Sequence, residues 1–410
     1  MRRNLSLLLG TFLVLAVAVF ALNASAFGIT ETILYTFTGG SDGGGPFGNL
    51  VFDSTGQNLY GTTSAGGVSN SKGGNGVVFQ LSHVGGTWVE NVIYAFAGGG
   101  DGAAPLGGVI FDSAGNLYGT TNSGGANGLG TVFELSPASG GGWTEQVIYS
   151  FAGGSDGANP NGGLAIDSTG NLFGTTSTGG AANLGTVFEV SPVSGGGWSE
   201  RVILTGTKAR GGGFLRTVVF DAAHNLYATA PTGGASNAGS IYRLRANSTG
   251  GWRPAAIYSF LGGSDGSSPI ATLTTVVAGH LYGTTQAGGN FSSGTAFELI
   301  LNSAGTWVKT ILYNFGSKST DALFPTEALI TEGSRLFGTS SSGGRFGSGT
   351  IFELSRPIGV WQEQVLHSFT TGSDTGGPAG SLLLSASNLV GLGHNGGSFG
   401  AGGVYELSPN

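Results

Sequence analysis

Gly162-Gly163-Leu164-Ala165-Ile166-Asp167 is a short apolar run, closed by the turn residues Ser168-Thr169-Gly170-Asn171. Leu172-Phe173-Gly174-Thr175-Thr176 follows as a second run, and a Gly-rich loop surrounds Gly179-Gly180. Thr186 to Ser191 is a third run, Pro192 to Gly197 a loop, and Trp198 to Leu204 a fourth run. Four short β-prone segments divided by Gly, Asn, Asp and Ser turns are the signature of a four-stranded antiparallel sheet. The pattern recurs. Tryptophans stand at Trp88, Trp143, Trp198, Trp252, Trp307 and Trp361, spaced by 55, 55, 54, 55 and 54 residues. A Gly-Gly pair recurs at Gly66, Gly124, Gly179, Gly233, Gly288, Gly343 and Gly396. Residues 27–410 therefore divide into seven units of about 55 residues, leaving no room for a second domain.

Several runs are continuously apolar, such as Val132-Phe133 and Ile351-Phe352. Strands of that kind suit sheets covered on both faces, as when blades stack around an axis. The expected fold is all-β, a seven-bladed β-propeller of four-stranded repeats. A parallel β-helix has much shorter rungs than this repeat. The phase of the repeat also predicts how the ring closes. The chain enters on an outer strand, Thr30 to Phe37, and ends on an inner-to-third set, Ser381 to Ser408, that lacks an outer strand of its own. These ends are expected to pair in one blade and hide the sheet edges.

Composition agrees and excludes other classes. Glycine makes up 82 of 410 residues, proline only 12, and cysteine is absent. Without a Gly-X-Y period the chain is not collagen, and Gly at this density is costly inside helices. With 39% hydrophobic residues it is not a disordered acidic chain. No disulfide or thiolate metal site is available. Arg2 and Arg3, the apolar run Leu5 to Leu22, and Ala24-Ser25-Ala26 read as a signal peptide cleaved after Ala26. The product is expected to be secreted, extracellular or periplasmic, as a monomer. No second long apolar run or C-terminal sorting tail follows, so no lasting membrane span is expected. The alternative for residues 1–26 is a retained anchor.

Val147-Ile148-Tyr149-Ser150-Phe151, Gly153-Gly154-Ser155-Asp156-Gly157, Asn171-Leu172-Phe173-Gly174-Thr175-Thr176 and Gly185-Thr186-Val187-Phe188-Glu189 recur along the chain. With them the sequence resembles the choice-of-anchor tandem repeat GloVer-containing proteins, over essentially all of residues 30–408. That resemblance implies bacterial export and often a variable surface anchor. It carries no activity over to these residues, and the C-terminus shows no anchor.

The most regular polar feature is Asp-x-x-x-Pro between an outer strand and the next inner strand. It supplies Asp42, Asp101, Asp156, Asp265, Asp321 and Asp374. These carboxylates either form turns, with Pro fixing the next bend, or line one face for Ca²⁺ or a polyhydroxylated ligand. Apart from that Ca²⁺ no cofactor is expected. Asp53, Asp112, Asp167 and Asp221 read as turn residues, and the third-strand Glu134, Glu189, Glu298, Glu353 and Glu406 as interblade contacts. The Thr pairs beside the Gly-Gly loops either meet sugar hydroxyls or serve as strand residues.

One unit breaks the Asp rule. It reads Gly206-Thr207-Lys208-Ala209-Arg210-Gly211-Gly212-Gly213, with Arg216 beyond, and its cations could hold an anionic glycan. Ligand-binding candidates are therefore Lys208, Arg210 and Arg216. The five histidines show no metal-ligand spacing, and no nucleotide-binding loop is present. With 13 basic against 22 acidic residues after Ala26, nucleic acid is disfavoured. The leading expectation is a non-catalytic binding or scaffold module for carbohydrate or an envelope protein. The alternative is a propeller enzyme, a polysaccharide lyase or hydrolase or a lactonase-like metal hydrolase. Such an enzyme needs acid–base groups in the channel, where Glu327, Glu332 and Arg216 are the only candidates. No catalytic residue is assigned.

Overall fold

Residues 29–67, 73–209, 218–277, 279–370, 372 and 374–409 are described by a computed structural model. The expected signal peptide and the candidates Arg210 and Arg216 lie outside the described residues. Seven antiparallel sheets form a ring, each ordered from an inner first strand to an outer fourth. In blade 2 these strands are Val109–Phe111, Leu117–Thr121, Thr131–Pro137 and Trp143–Ser150. Blade 7 is composite. Its inner three strands are Pro378–Ser385, Asn388–Gly393 and Gly403–Pro409, and its outer strand is Ile29–Thr36 from the start of the chain. The register runs Thr30↔Ser408, Glu31↔Leu407 and Thr36↔Gly403, closing the ring as the repeat phase requires. No described helix is long and apolar enough to cross a membrane.

The inner strand differs from the expected one. In blade 1 it runs through the proline as one strand, Gly44–Phe52, with a register shift between Phe47 and Val51. In blade 3 it splits into Ala158–Pro160 and Ala165–Ile166. The cause lies at the axis, where inner strands meet backbone to backbone. A Cβ on Gly107 would strike the carbonyl of Gly162, and one on Gly48 would strike Gly107 and Gly108. Only glycine permits that approach, and it interrupts the ladder.

The core lies between blades. Phe96, at the end of blade 1's outer strand, packs edge-on against Phe133 of blade 2 at 5.1 Å. The same contact recurs as Phe151–Phe188, Phe260–Phe297 and Phe315–Phe352. Each of these rings is fully buried from solvent, a gain of roughly 2–3 kcal/mol per ring. The glycine of the Leu-Tyr-Gly-Thr-Thr motif exists for this ring, since a Cβ on Gly119 would collide with Phe133. Tryptophans seal the opposite rim. Trp143 packs on Tyr60 of the preceding blade, Trp198 on Tyr118 and Trp307 on Tyr227.

Candidate functional site

Propeller chemistry would be sought first at the axis. Here the axial cavity is only about 10 Å³, lined by Asn49, Gly107, Gly162, Thr272, Glu327 and Ser381. That is room for about one water. Among the described residues Glu327 is the one ionisable group in the lining, and it is buried. Glu332 instead pairs with Arg335. No acid–base pair converges on the axis among the described residues.

The Asp-x-x-x-Pro carboxylates belong to the seams between blades. Asp156 accepts the Ala152 amide at 2.6 Å and the Tyr149 hydroxyl at 2.8 Å. Asp42 does the same with Thr38 and Tyr35, Asp101 with Ala97 and Tyr94, and Asp265 with Leu261 and Tyr258. Asp321 accepts from Tyr313, Ser317 and the Lys318 amide, and Asp374 from the Thr370 amide with His367 beside it. In each case the carboxylate caps its own loop by accepting a backbone amide. The prolines have a job too: Pro160 lies against Gly130 of the preceding blade.

Opposite each Asp stands a residue of the next blade's outer strand, which the sequence pattern left unnoticed. Glu90 faces Asp42, Glu145 faces Asp101, Glu200 faces Asp156, Glu363 faces Asp321, and Glu31 faces Asp374. Burial, then the neighbouring Asp, pushes Glu90 and Glu145 up to about 7 and Glu200 to about 8. Glu363 also rises to about 8, chiefly through burial. Two carboxyls facing each other in a buried seam cannot both ionise cheaply, so these Glu carboxyls keep a proton well above the usual carboxylate range. The signal was available in the sequence as Glu two residues after Trp88, Trp143, Trp198 and Trp361.

Two seams depart from the rule. Between blades 4 and 5 the Glu position is Lys309, whose ammonium pairs with Asp265 at 2.8 Å and is 3% exposed. That cation also lies over the rings of Tyr258, Phe260 and Phe297, 4.9 to 5.5 Å from their centres. Between blades 3 and 4 the whole set is lost together. Leu204 holds the Tyr position, Pro254 the Glu position, and Lys208 stands exposed on the loop without an Asp.

The inner-turn Asp residues, the Thr pairs and Glu189 all have partners within the fold. Asp167 accepts the Thr169 and Asn171 amides and the Asn171 side chain, and Asp53, Asp112 and Asp221 repeat that turn. The Thr pairs are buried, with Thr121 bonded to Thr131 and Thr176 to Thr186, both at 2.8 Å. Glu189 accepts the indole N–H of Trp252 in the next blade at 2.7 Å and an ion pair from Arg201.

The seam between blades 6 and 7 is singular. His367 stands where five other seams have tyrosine, and its Nε2 lies 3.2 Å from Asp374 Oδ2 and 3.6 Å from Glu31 Oε2. At the opposite rim of this seam Ile29 stands at the Trp position. A cavity of about 390 Å³ remains, lined by Ile29, Phe337, Leu366, Leu389 and Leu407 with Arg335 and Glu353.

A second feature breaks the symmetry on the Gly-rich face. The residue two places after the Gly-Gly pair is Phe291 in blade 5, Phe346 in blade 6 and Phe399 in blade 7, exposed by 50%, 54% and 63%. In blades 2, 3 and 4 the same position holds Asn127, Ala182 and Ser236. Phe324 joins this arc: its amide donates to the Ser293 carbonyl beside Phe291, and it is 37% exposed. It also carries φ of +57°. The equivalent positions, Ala104, Asn159 and Ser268, share that left-handed backbone, which is rarest for bulky residues.

Among curated proteins none matches this sequence. Solved structures of similar shape include a candidate gluconolactonase, at 13% identity and TM-score 0.38, covering 68% of this chain and 84% of that one. A candidate glucose dehydrogenase from a Thermus species is 15% identical with TM-score 0.43, covering 93% of this chain and 100% of that one. A puromycin hydrolase variant is 12% identical with TM-score 0.47, covering 85% of this chain and 50% of that one. The Gloeobacter/Verrucomicrobia repeat matches over residues 18–165, 68–297 and 248–410. With its repeats matched from end to end of the ring, the chain belongs to the Gloeobacter/Verrucomicrobia repeat family.

Proposed function

We propose that this is an exported, non-catalytic propeller whose Gly-rich face binds carbohydrate along the arc Phe291, Phe324, Phe346 and Phe399. The observation that supports it is four exposed rings on three successive blades, set on loops rich in Gly, Ser and Asn, with the Arg345 guanidinium lying over the Phe346 ring. Flat apolar rings separated by small polar residues suit the faces of sugar rings, which are apolar above and below and polar at the rim. The backbone strain at Phe324 points the same way, because a bulky residue at positive φ costs about 1–3 kcal/mol and such strain gathers at functional positions. A protein partner would favour a continuous apolar patch over spaced rings. The enzyme alternative asks for converging acid–base groups, and the axis offers Glu327 alone among the described residues.

The test is affinity electrophoresis through hydroxyethyl cellulose, glycol chitin, xylan and polygalacturonate. At least one polymer should retard the protein. The triple variant Phe291→Ala/Phe346→Ala/Phe399→Ala should run as in polymer-free gel while keeping its Tm within about 2 °C, as expected of exposed positions. Retardation by none of the four, or equal retardation of the variant, removes this reading. Retardation by polygalacturonate alone that vanishes in Lys208→Glu would move the site to the loop between blades 3 and 4.

A further inference from the structure

We propose that Glu31, His367 and Asp374 form a binding site for a divalent transition metal, zinc foremost, that staples the ring where it closes. The three side chains offer one imidazole nitrogen and two carboxylates, and their ligand atoms lie within 4.8 Å of one another. The nitrogen stands 3.2 Å from one carboxylate and 3.6 Å from the other. Ligands bound tetrahedrally to zinc at about 2.0–2.1 Å sit roughly 3.3 Å apart, so little movement is needed to seat the ion.

Burial supports a site over a surface coincidence. The side chains of Glu31, His367 and Asp374 are only 17%, 20% and 8% exposed. Glu31 Oε1 and Asp374 Oδ1 are buried without a donor, as are Glu90 Oε1, Glu145 Oε1 and Glu200 Oε1 in seams that lack a histidine, so the imidazole is what distinguishes this seam. A cation shared with His367 Nε2 would satisfy both carboxylates at once. Three protein ligands leave a fourth position for water.

The repeat provides its own control. Five seams place Tyr35, Tyr94, Tyr149, Tyr258 or Tyr313 where this seam has His367. A phenol hydrogen-bonds to the facing Asp, as Tyr149 does to Asp156. An imidazole turns the same constellation into a ligand set. The substitution falls where it has most structural effect. Glu31 lies on the closing strand, while His367 and Asp374 come from the opposite end of the chain, so one ion would tie the two ends together.

The full-length protein, stripped with chelator and dialysed, is titrated with ZnCl₂ and with CoCl₂ as a spectroscopic probe. One zinc should bind per chain and raise Tm, and cobalt should give visible d–d bands. His367→Tyr, which installs the residue of the other seams, should fold with a metal-free Tm near that of the wild type and lose stoichiometric binding. Glu31→Gln should weaken zinc at least tenfold. If the wild type binds no zinc, or His367→Tyr binds as tightly as the wild type, the cluster is only a histidine–carboxylate ion pair and the proposal is wrong.

Discussion

Lys309 answers at one seam a question that five others answer with glutamate. The buried Asp of a seam needs either a positive charge or a protonated carboxyl opposite it. Lys309 supplies the charge. Its burial lowers the ammonium's pKa, and contact with Asp265 opposes that fall. Burial alone would raise Asp265, yet Lys309, the Leu261 amide and the Tyr258 hydroxyl hold it below the usual range. Removing one partner strands the other charge, so Lys309→Ala should cost about 3–5 kcal/mol, read as a lowered urea midpoint. Lys309→Glu should fare better than Ala below neutral pH, because it rebuilds the shared-proton pair of the neighbouring seams. An Ala variant as stable as the wild type would show that this ion pair contributes nothing.

At the scale of the strand, a one-residue bulge lets one outer strand serve two seams. Glu145 and Tyr149 are four apart and would share a face of a regular strand. The register shifts between them, with Phe133 paired to Val147 and Val132 to Tyr149. That shift flips the face, so Glu145 meets Asp101 behind it and Tyr149 meets Asp156 ahead. The irregularity recurs in every blade, including Ile33/Tyr35 on the closing strand. Period and composition made the strands legible, and the order of strands gave away the closure. The bulge was not legible, since no glycine marks it and Val-Ile-Tyr reads as unbroken strand. The seam pairs were hidden for the same reason: alternation without the bulge sends Glu and Tyr to one side. The exposed arc escaped notice because Phe291, Phe346 and Phe399 look like core residues until their loops are placed. The closing strand also lacks the Trp of its sisters. Ile29→Trp should fill the cavity against Phe337 and Leu407 and raise stability by about 1 kcal/mol. Differential scanning calorimetry checks it, and a lowered Tm would mean the gap cannot accept an indole.

For the whole ring, the seams set the pH dependence. Glu90, Glu145, Glu200 and Glu363 hold their protons to about pH 7–8 in the fold but release them near 4.5 when unfolded. Between those values the native state binds more protons, so stability falls as pH rises. The contribution is complete below about 4.5 and gone above about 8. Partial exposure and screening hold it to roughly 1 kcal/mol per pair. The opposite limb comes from Asp53, Asp167 and Asp221, whose turn hydrogen bonds prevail over burial and hold them low, and it is lost as pH falls below about 4. The expected optimum is mildly acidic, about pH 4.5–6. Replacing the four glutamates with Gln keeps a donor toward each Asp and should flatten the Tm profile from pH 5 to 9. An unchanged alkaline slope would place the lability elsewhere.

The closing register also decides which way the molecule looks. Ile29 pairs with Pro409, so both ends of the described chain leave from one point on the rim opposite the Gly-Gly loops. Any leash, tag or neighbouring module attached before residue 29 or after residue 409 would depart from the underside. Immobilised by either terminus, the ring would behave like a dish on a stalk, with Phe291, Phe346 and Phe399 turned outward to the surroundings.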